Sequence, residues 1–320
     1  MINYLIRRLV LIVPTALAAS VIVFFVMRAL PGDVALAILA DTPHTVEMRE
    51  ALREELGLND PLAVQYAAWI RSLLFGELGG RSLETREPIS EIVSRQLPVT
   101  LLLAAYATGL SLIIGVPLGI AAALHRGRPL DYSIRALTLA GLSVPGVFAS
   151  LLVMWLLLRL FRWSSPIIYA TPREDFGEHV AIMIVPAIIL SWEFLSHVVR
   201  VMRAGLVSIL EREYVVTARS KGLTELAVVV KHGVPNAMLP VITITGIQFG
   251  TLIGGAMIVE TIFGLPGIGR GIVRAALARD YPLVQSVATL VVTLSLGVNL
   301  LVDFAYAAID PRITFAGRSR

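Results

Sequence analysis

The sequence predicts an all-α polytopic membrane protein with six transmembrane helices, and three observations predict it. Apolar residues make up 56% of the chain and charged residues only 16%, where a globular domain carries about 25% charged. Six segments reach or approach the roughly 20 apolar residues that hydrocarbon demands. Arginine and lysine gather in alternate connections between those segments, as topology requires.

The elements follow in order. The first span is Leu9 to Met27, preceded by Arg7 and Arg8. Ala16-Leu17-Ala18 resembles a cleavage site, but the apolar run continues through VIVFFVM, longer than the ~7 to 15 residues of a signal-peptide core. We read residues 1–30 as a tail and an uncleaved first helix. Residues 31–96 form a second region, in which eleven acidic residues face six arginines. Thr42-Pro43 starts a helix there, Met48, Leu52 and Leu56 repeat at intervals of four, and Gly57 stands at its C-terminal cap. Asp60-Pro61 starts another, with Leu62, Tyr66, Trp69, Ile70 and Leu73 on one face. This region is a small helical cap outside the membrane.

Residues 97–320 hold the remaining spans: Leu97 to Leu124, Ala136 to Leu158, Val180 to Val199, Val241 to Val259 and Pro282 to Val302. Pro117 and Pro145 are expected to kink the second and third. Gly115 and Gly119, and Gly246, Gly250 and Gly254, recur every four residues, a spacing that lets backbones approach closely. They serve packing within one subunit or a seam at a second subunit or pore. The fourth span is the weakest, because its uncharged run stops at Glu193. A carboxylate at a helix centre costs about 2.5 to 3.5 kcal/mol on insertion scales, so Glu193 either lines a path or sits near the inner interface. Glu260 and Asp303 lie near helix ends.

Arg7 and Arg8, Arg126, Arg128 and Arg135, the basic residues from Arg200 to Lys231, and Arg312, Arg318 and Arg320 fall on one side of a six-span chain. Both termini are therefore expected in the cytoplasm. Arg270, Arg274 and Arg279 dissent, lying on the outer side.

Much chemistry is excluded. There is no cysteine, hence no disulfide or thiolate metal site. No G-x-x-x-x-G-K-[ST] loop exists to cradle nucleotide phosphates. His44, His125, His179, His197 and His232 are scattered without ligand spacing, so no metal is expected, and no G-x-S-x-G elbow is present. Topology already explains the excess of arginine, so no nucleic acid partner is implied.

The stretch between the fourth and fifth spans, residues 201–238, is long for a loop that commonly needs about 2 to 8 residues. It contains the chain's only two lysines, Lys221 and Lys231. Its pattern is helical: Leu206, Ile209 and Leu210, then Tyr214, Thr217 and Ala218, with Gly222 ending one helix and Thr224 able to start another. Such a helix suits a groove in a soluble partner or lies in the lipid interface.

The spacing Ala218, Gly222 and then His232-Gly-Val-Pro235 resembles the EAA loop of permease subunits of ABC importers. LPGD at Leu30, LGLNDPLAVQYAAWI at Leu56, GELGGRS at Gly76, PVTLLLA at Pro98, VETIFGLPGIGRGIVRAALARDYPLVQS at Val259 and NLLVDFAYAAIDPRI at Asn299 are similar to the dipeptide and oligopeptide permeases, in the first of their two membrane subunits. The resemblance implies a type I ABC importer permease fold whose cytoplasmic coupling helix docks on an ATPase through Glu213, Tyr214, Thr217, Ala218, Arg219, Lys221, Gly222, His232 and Pro235. It implies a second permease subunit, two ATPase subunits that bind ATP and Mg, and an extracytoplasmic solute-binding protein, with no cofactor in this chain. The first acidic residue of the EAA triplet falls on Val216, and Glu213 lies one turn earlier. Glu193, Glu260, Phe263 and Pro266 are candidates for the pathway or gate, and FGLPGIG is either a docking or gating element or a tight loop. Nickel and glutathione importers share this subunit type. A stand-alone secondary transporter and an intramembrane enzyme are the alternatives of another class.

Overall fold

The computed structural model describes residues 2–29, 34–39, 44–55, 57–75, 78–166 and 168–309. The LPGD stretch, the Thr42-Pro43 start, the side chains of Arg7, Arg8 and Asp303, and Arg312, Arg318 and Arg320 lie outside the described residues and side chains. The helices are α1 (Ile2–Ala29), α2 (Val34–Leu39), α3 (Val46–Glu55), α4 (Leu62–Leu74), α5 (Ile89–Leu124), α6 (Pro129–Ser143), α7 (Gly146–Phe161), α8 (Phe176–Leu210), α9 (Glu213–Ser220), α10 (Glu225–Val228), α11 (Val234–Phe263), α12 (Ile268–Leu277) and α13 (Tyr281–Ile309).

Five of these, α1, α5, α8, the continuous α10–α11 rod and α13, are long and apolar enough to cross a membrane. The expected third span is not one helix. It is α6 and α7, bent by 101° at Val144-Pro145. The kink expected at Pro145 is a full break, because the residue before proline is pushed out of the helical region, and Val144 is indeed extended at φ −90°, ψ 115°. Pro117, by contrast, stays within α5.

The fourth span, the weakest by its apolar run, is the most enclosed. α8 packs along both α5 and α11, and α6 crosses it. A central helix meets protein on most sides, so small polar residues suffice where a lipid-facing helix needs aliphatics: Ser191 and Ser196 are buried, and Ser111 of α5 donates to the Ser191 carbonyl (3.0 Å). Gly115 and Gly119 set the α5–α8 distance. A Cβ on Gly119 would stand 2.7 Å from Met202 Cβ, and one on Gly115 2.9 Å from Val198 Cγ1, so these two pack within the chain. Gly119→Leu is expected to destabilise by about 1 to 3 kcal/mol through overpacking, read as loss of folded protein in detergent by size-exclusion fluorescence. The fifth-span series differs: Gly246 is buried, a Cβ on Gly250 would stand 3.8 Å from Ser295 Cβ, and one on Gly254 would meet open space.

The segment between the first two long helices is helical and shorter than expected, since α5 begins at Ile89 rather than Leu97. Gly57 closes α3 in the left-handed region (φ +63°), with Leu58 N–H donating to the Arg53 carbonyl (2.8 Å). α4 seats on α1 and α13: the Tyr66 and Ser20 hydroxyls are 2.8 Å apart, Arg28 donates to Gln65 (3.0 Å), and the Trp69 indole donates to Ser286 (3.4 Å). Two of the three dissenting arginines now have a reason. Arg274 of α12 pairs with Glu84 of the acidic segment (2.6 Å), and Arg270 donates to the Gly264 carbonyl. They are held locally by cap and turn.

Candidate coupling surface and central wall

Chain direction places the cap, the α7–α8 connection and α12 at one end of the bundle, and α9, α10 and the α5–α6 turn at the other. At that second end the apolar runs understate the helices. α8 continues to Leu210 and α11 is entered through α10 and a π-helical turn, Val229–Gly233, so the forty-residue connection reduces to α9 and two short turns. Gly222 adopts φ +82°, and Leu223 N–H reaches back to the Ala218 carbonyl (3.4 Å), the glycine stop expected of a helix C-terminus. Thr224 then caps α10, its hydroxyl accepting from Ala227 N–H.

This corner has its own small core. Val215, Ala218 and Val228 are buried against Ile209 and Leu210. Arg219 spans the corner, donating to both carboxylate oxygens of Glu225 (2.6 and 3.0 Å) and to the Leu210 carbonyl (3.2 Å). The carboxylate holds the Arg219 guanidinium above its ordinary pKa, and with both side chains solvated the pair adds geometry more than stability. The nine residues predicted for docking therefore divide. Glu213, Tyr214, Thr217, Lys221, Gly222 and Pro235 are exposed, His232 is half-buried, and Ala218 faces the chain's own core. Arg219 is committed to Glu225. An exposed apolar set that sequence reasoning omitted, Val216, Leu223, Leu226 and Val230, joins Tyr214 on the outer surface of the corner. Its signal was available: four apolar residues spread through an otherwise polar stretch that leaves the bundle.

Two further ties went unnoticed in the sequence. Asp131, 1% exposed, accepts from Arg203 Nε and Nη2 (both 2.7 Å) and from Gly127 N–H (3.0 Å), joining α6 to α8. Arg126 meets Glu211 (2.5 Å), joining the α5–α6 turn to the entry of α9. A lone aspartate among Arg126, Arg128 and Arg135 was the available signal.

The pathway candidates separate in the same way. Glu260 is fully buried; its carboxylate accepts from Thr100 (2.6 Å) and from Arg270 N–H (3.0 Å), while Ile268 N–H donates to the Thr100 hydroxyl (2.9 Å). It therefore satisfies the free N–H groups at the start of α12 and forms a joint between α5, α11 and α12, not an open wall. Phe263 is buried in the core beside it, and Pro266 is exposed on the turn. FGLPGIG forms a tight turn: Gly264 is left-handed (φ +71°), and the Glu260 carboxylate fills the space a Cβ on Gly267 would need. Glu260→Ala is expected to cost about 1 to 3 kcal/mol by orphaning those donors, with the α12 turn the first site of proteolysis. Glu193 is exposed and lines a cleft of about 520 Å³ between α6, α7, α8 and α11.

The comparisons with known proteins fit this architecture. Residues 115–315 match the family described as the binding-protein-dependent transport system inner membrane component, and residues 1–104 match its N-terminal companion. The chain belongs to this family. The permease is 34% identical over 314 residues to the oligopeptide transport system permease protein AppB of Bacillus subtilis, covering 98% of this chain and 99% of that one. It is 36% identical to a Brucella suis protein named as a peptide permease, covering 98% and 99%. Among solved structures it resembles a chain of the methionine ABC transporter MetNI in an inward-facing form (TM-score 0.55, 18% identity, 70% of this chain and 99% of that one) and an amino acid ABC transporter (TM-score 0.51, 18% identity, 68% and 94%). The fold is thus that of a type I ABC importer permease. The chain is a multi-pass inner-membrane subunit of an ABC importer and is not itself catalytic.

Proposed function

We propose that this permease imports short peptides as half of a translocation pathway, with a second, similar permease as the other half. The corner of α9 and α10 docks in a cleft of an ATPase subunit, and the end of the bundle that bears it lies in the cytoplasm with both termini. A solute-binding protein delivers substrate to the cap. The observation that carries the reading is the corner itself: a short helix braced internally by Val215, Ala218 and the Arg219–Glu225 pair, with Tyr214, Val216, Leu223 and Leu226 presented outward. A lever must be rigid within and adhesive without. Two ATPase subunits, binding ATP and Mg, would draw such corners together and shift the bundle between inward and outward access. Peptide is favoured as cargo because relatives covering the whole chain bear that name. Nickel or glutathione would use the same machinery.

Tagged permease expressed with its genomic neighbours and purified in mild detergent tests this. A second permease and ATPase subunits should co-purify, with hydrolysis stimulated by loaded binding protein and peptide accumulating in proteoliposomes only with ATP. Uptake driven by an ion gradient and indifferent to ATP would overturn the reading in favour of a secondary transporter, and turnover of a substrate by the chain alone would favour an enzyme.

A further inference from the structure

Along α8 three ionisable residues follow one another on a single face: Glu193, His197 and Arg200, at i, i+4 and i+7. Glu193 stands at the midpoint of the helix, Arg200 is exposed and His197 is half-buried. Arg200 Nη2 donates to His197 Nδ1 (3.1 Å), and Glu193 lies within electrostatic reach of His197. Among the described residues Glu193 accepts no hydrogen bond and forms no ion pair. This contrasts with the other carboxylates engaged in the bundle: Asp131 is bound by Arg203, and Glu260 by Thr100 and α12. An ionisable residue at mid-span is expensive unless it meets water or a counter-charge, and such residues mark substrate paths. Glu193 is the one charged residue lining a cleft otherwise lined mostly by apolar residues such as Val153, Leu157, Ile188 and Val259, whose volume of about 520 Å³ lies in the range of small-molecule sites, roughly 300 to 1,000 Å³.

We infer that this face of α8 is a transient binding site for the translocated peptide, with Glu193 receiving the free α-ammonium group and Arg200 the free carboxylate. The apolar cleft takes a side chain. This rests on the reading of the chain as a peptide importer and adds the groups that recognise the substrate. Seven residues separate Glu193 from Arg200, about 10 Å along the axis at 1.5 Å per residue. An extended chain spans at most about 3.3 to 3.6 Å per residue, so the spacing suits a peptide of two or three residues with both termini unblocked. Charge complementarity decides the occupant. A lipid tail gains nothing from the carboxylate, and an anionic solute is repelled by it.

The test uses the assembled transporter in proteoliposomes, with trialanine as the probe. In Glu193→Gln the trialanine imported per ATP hydrolysed is expected to fall at least tenfold, and in Glu193→Asp to recover to within threefold of the parent. Because the chain has no cysteine, Glu193→Cys in an assembly whose other subunits are cysteine-free gives a single thiol, expected to react with a charged, water-soluble maleimide in at least one nucleotide state. An unchanged import ratio in Glu193→Gln overturns the site while leaving the importer intact. A thiol unreactive in every state also overturns it, placing Glu193 against lipid or sealed in a subunit interface. Failure of the parent transporter to import trialanine or any longer peptide is a different result, and it overturns the peptide reading itself.

Discussion

Replacing Gly222 with aspartate is expected to leave the permease folded in the membrane and to abolish ATP-driven uptake. At φ +82° a non-glycine residue pays about 1 to 3 kcal/mol of backbone strain, at the low end for aspartate, which visits the left-handed region more readily than most residues. No heavy atom lies within 4 Å of where its Cβ would be built, so the bundle has no steric reason to unfold. The damage is local. Strain at the junction of α9 and α10 shifts the Arg219–Glu225 brace, and a charge enters the exposed set between Lys221 and Leu223 that is proposed to enter an apolar cleft. The measurement compares membrane content, ATPase co-purification and peptide uptake. Normal uptake by the variant would remove the corner from the coupling mechanism; loss from the membrane would show that Gly222 serves the fold.

Asp131→Ala is expected to be the most destabilising single change in the bundle, at about 3 to 5 kcal/mol, the usual consequence of removing one partner from a buried pair. Asp131 is almost fully buried while the Arg203 side chain retains 23% exposure, so the cost falls toward the lower figure if the guanidinium can turn to solvent. The variant also frees Gly127 N–H. Thermal unfolding in detergent should show the loss, and the double change Asp131→Leu with Arg203→Met should regain much of it, because an apolar pair of similar volume carries no desolvation penalty. A single variant as stable as the parent would mean that α6 is held to α8 by packing alone, at Gly141 against Trp192 and Ser196.

The corner of α9 and α10, proposed above to dock on an ATPase, was the most legible part of the chain in its sequence. Gly222 and Thr224 are punctuation with local causes, a left-handed stop and a hydroxyl cap, and both act where the sequence placed them. The roles of individual residues there were less legible. Ala218 and Arg219 belong to the docking motif in sequence, yet one faces inward and the other grips Glu225, because the face each presents depends on how α9 leans on the end of α8. The glycine series make the same point. Gly115–Gly119 and Gly246–Gly254 share a spacing, but only the first meets a partner helix at contact distance along its whole length; periodicity states that a backbone can be approached and not by what.

Sequence by itself determined the solvent, the class of fold, the number of membrane crossings to within one broken helix, and the position of the corner that leaves the bundle. These follow from hydropathy, helical period and residues whose backbone preferences are local, all of which act over short stretches of chain. Only the tertiary structure decided that the third span breaks at Pro145, that Glu260 is a buried cap while Glu193 stands open, and that Asp131 and Arg203 find each other across 72 positions. A carboxylate on an apolar helix has much the same local signature in every one of those settings. What distinguishes them is whether donors from distant segments converge on it, and that convergence exists only once the helices have packed.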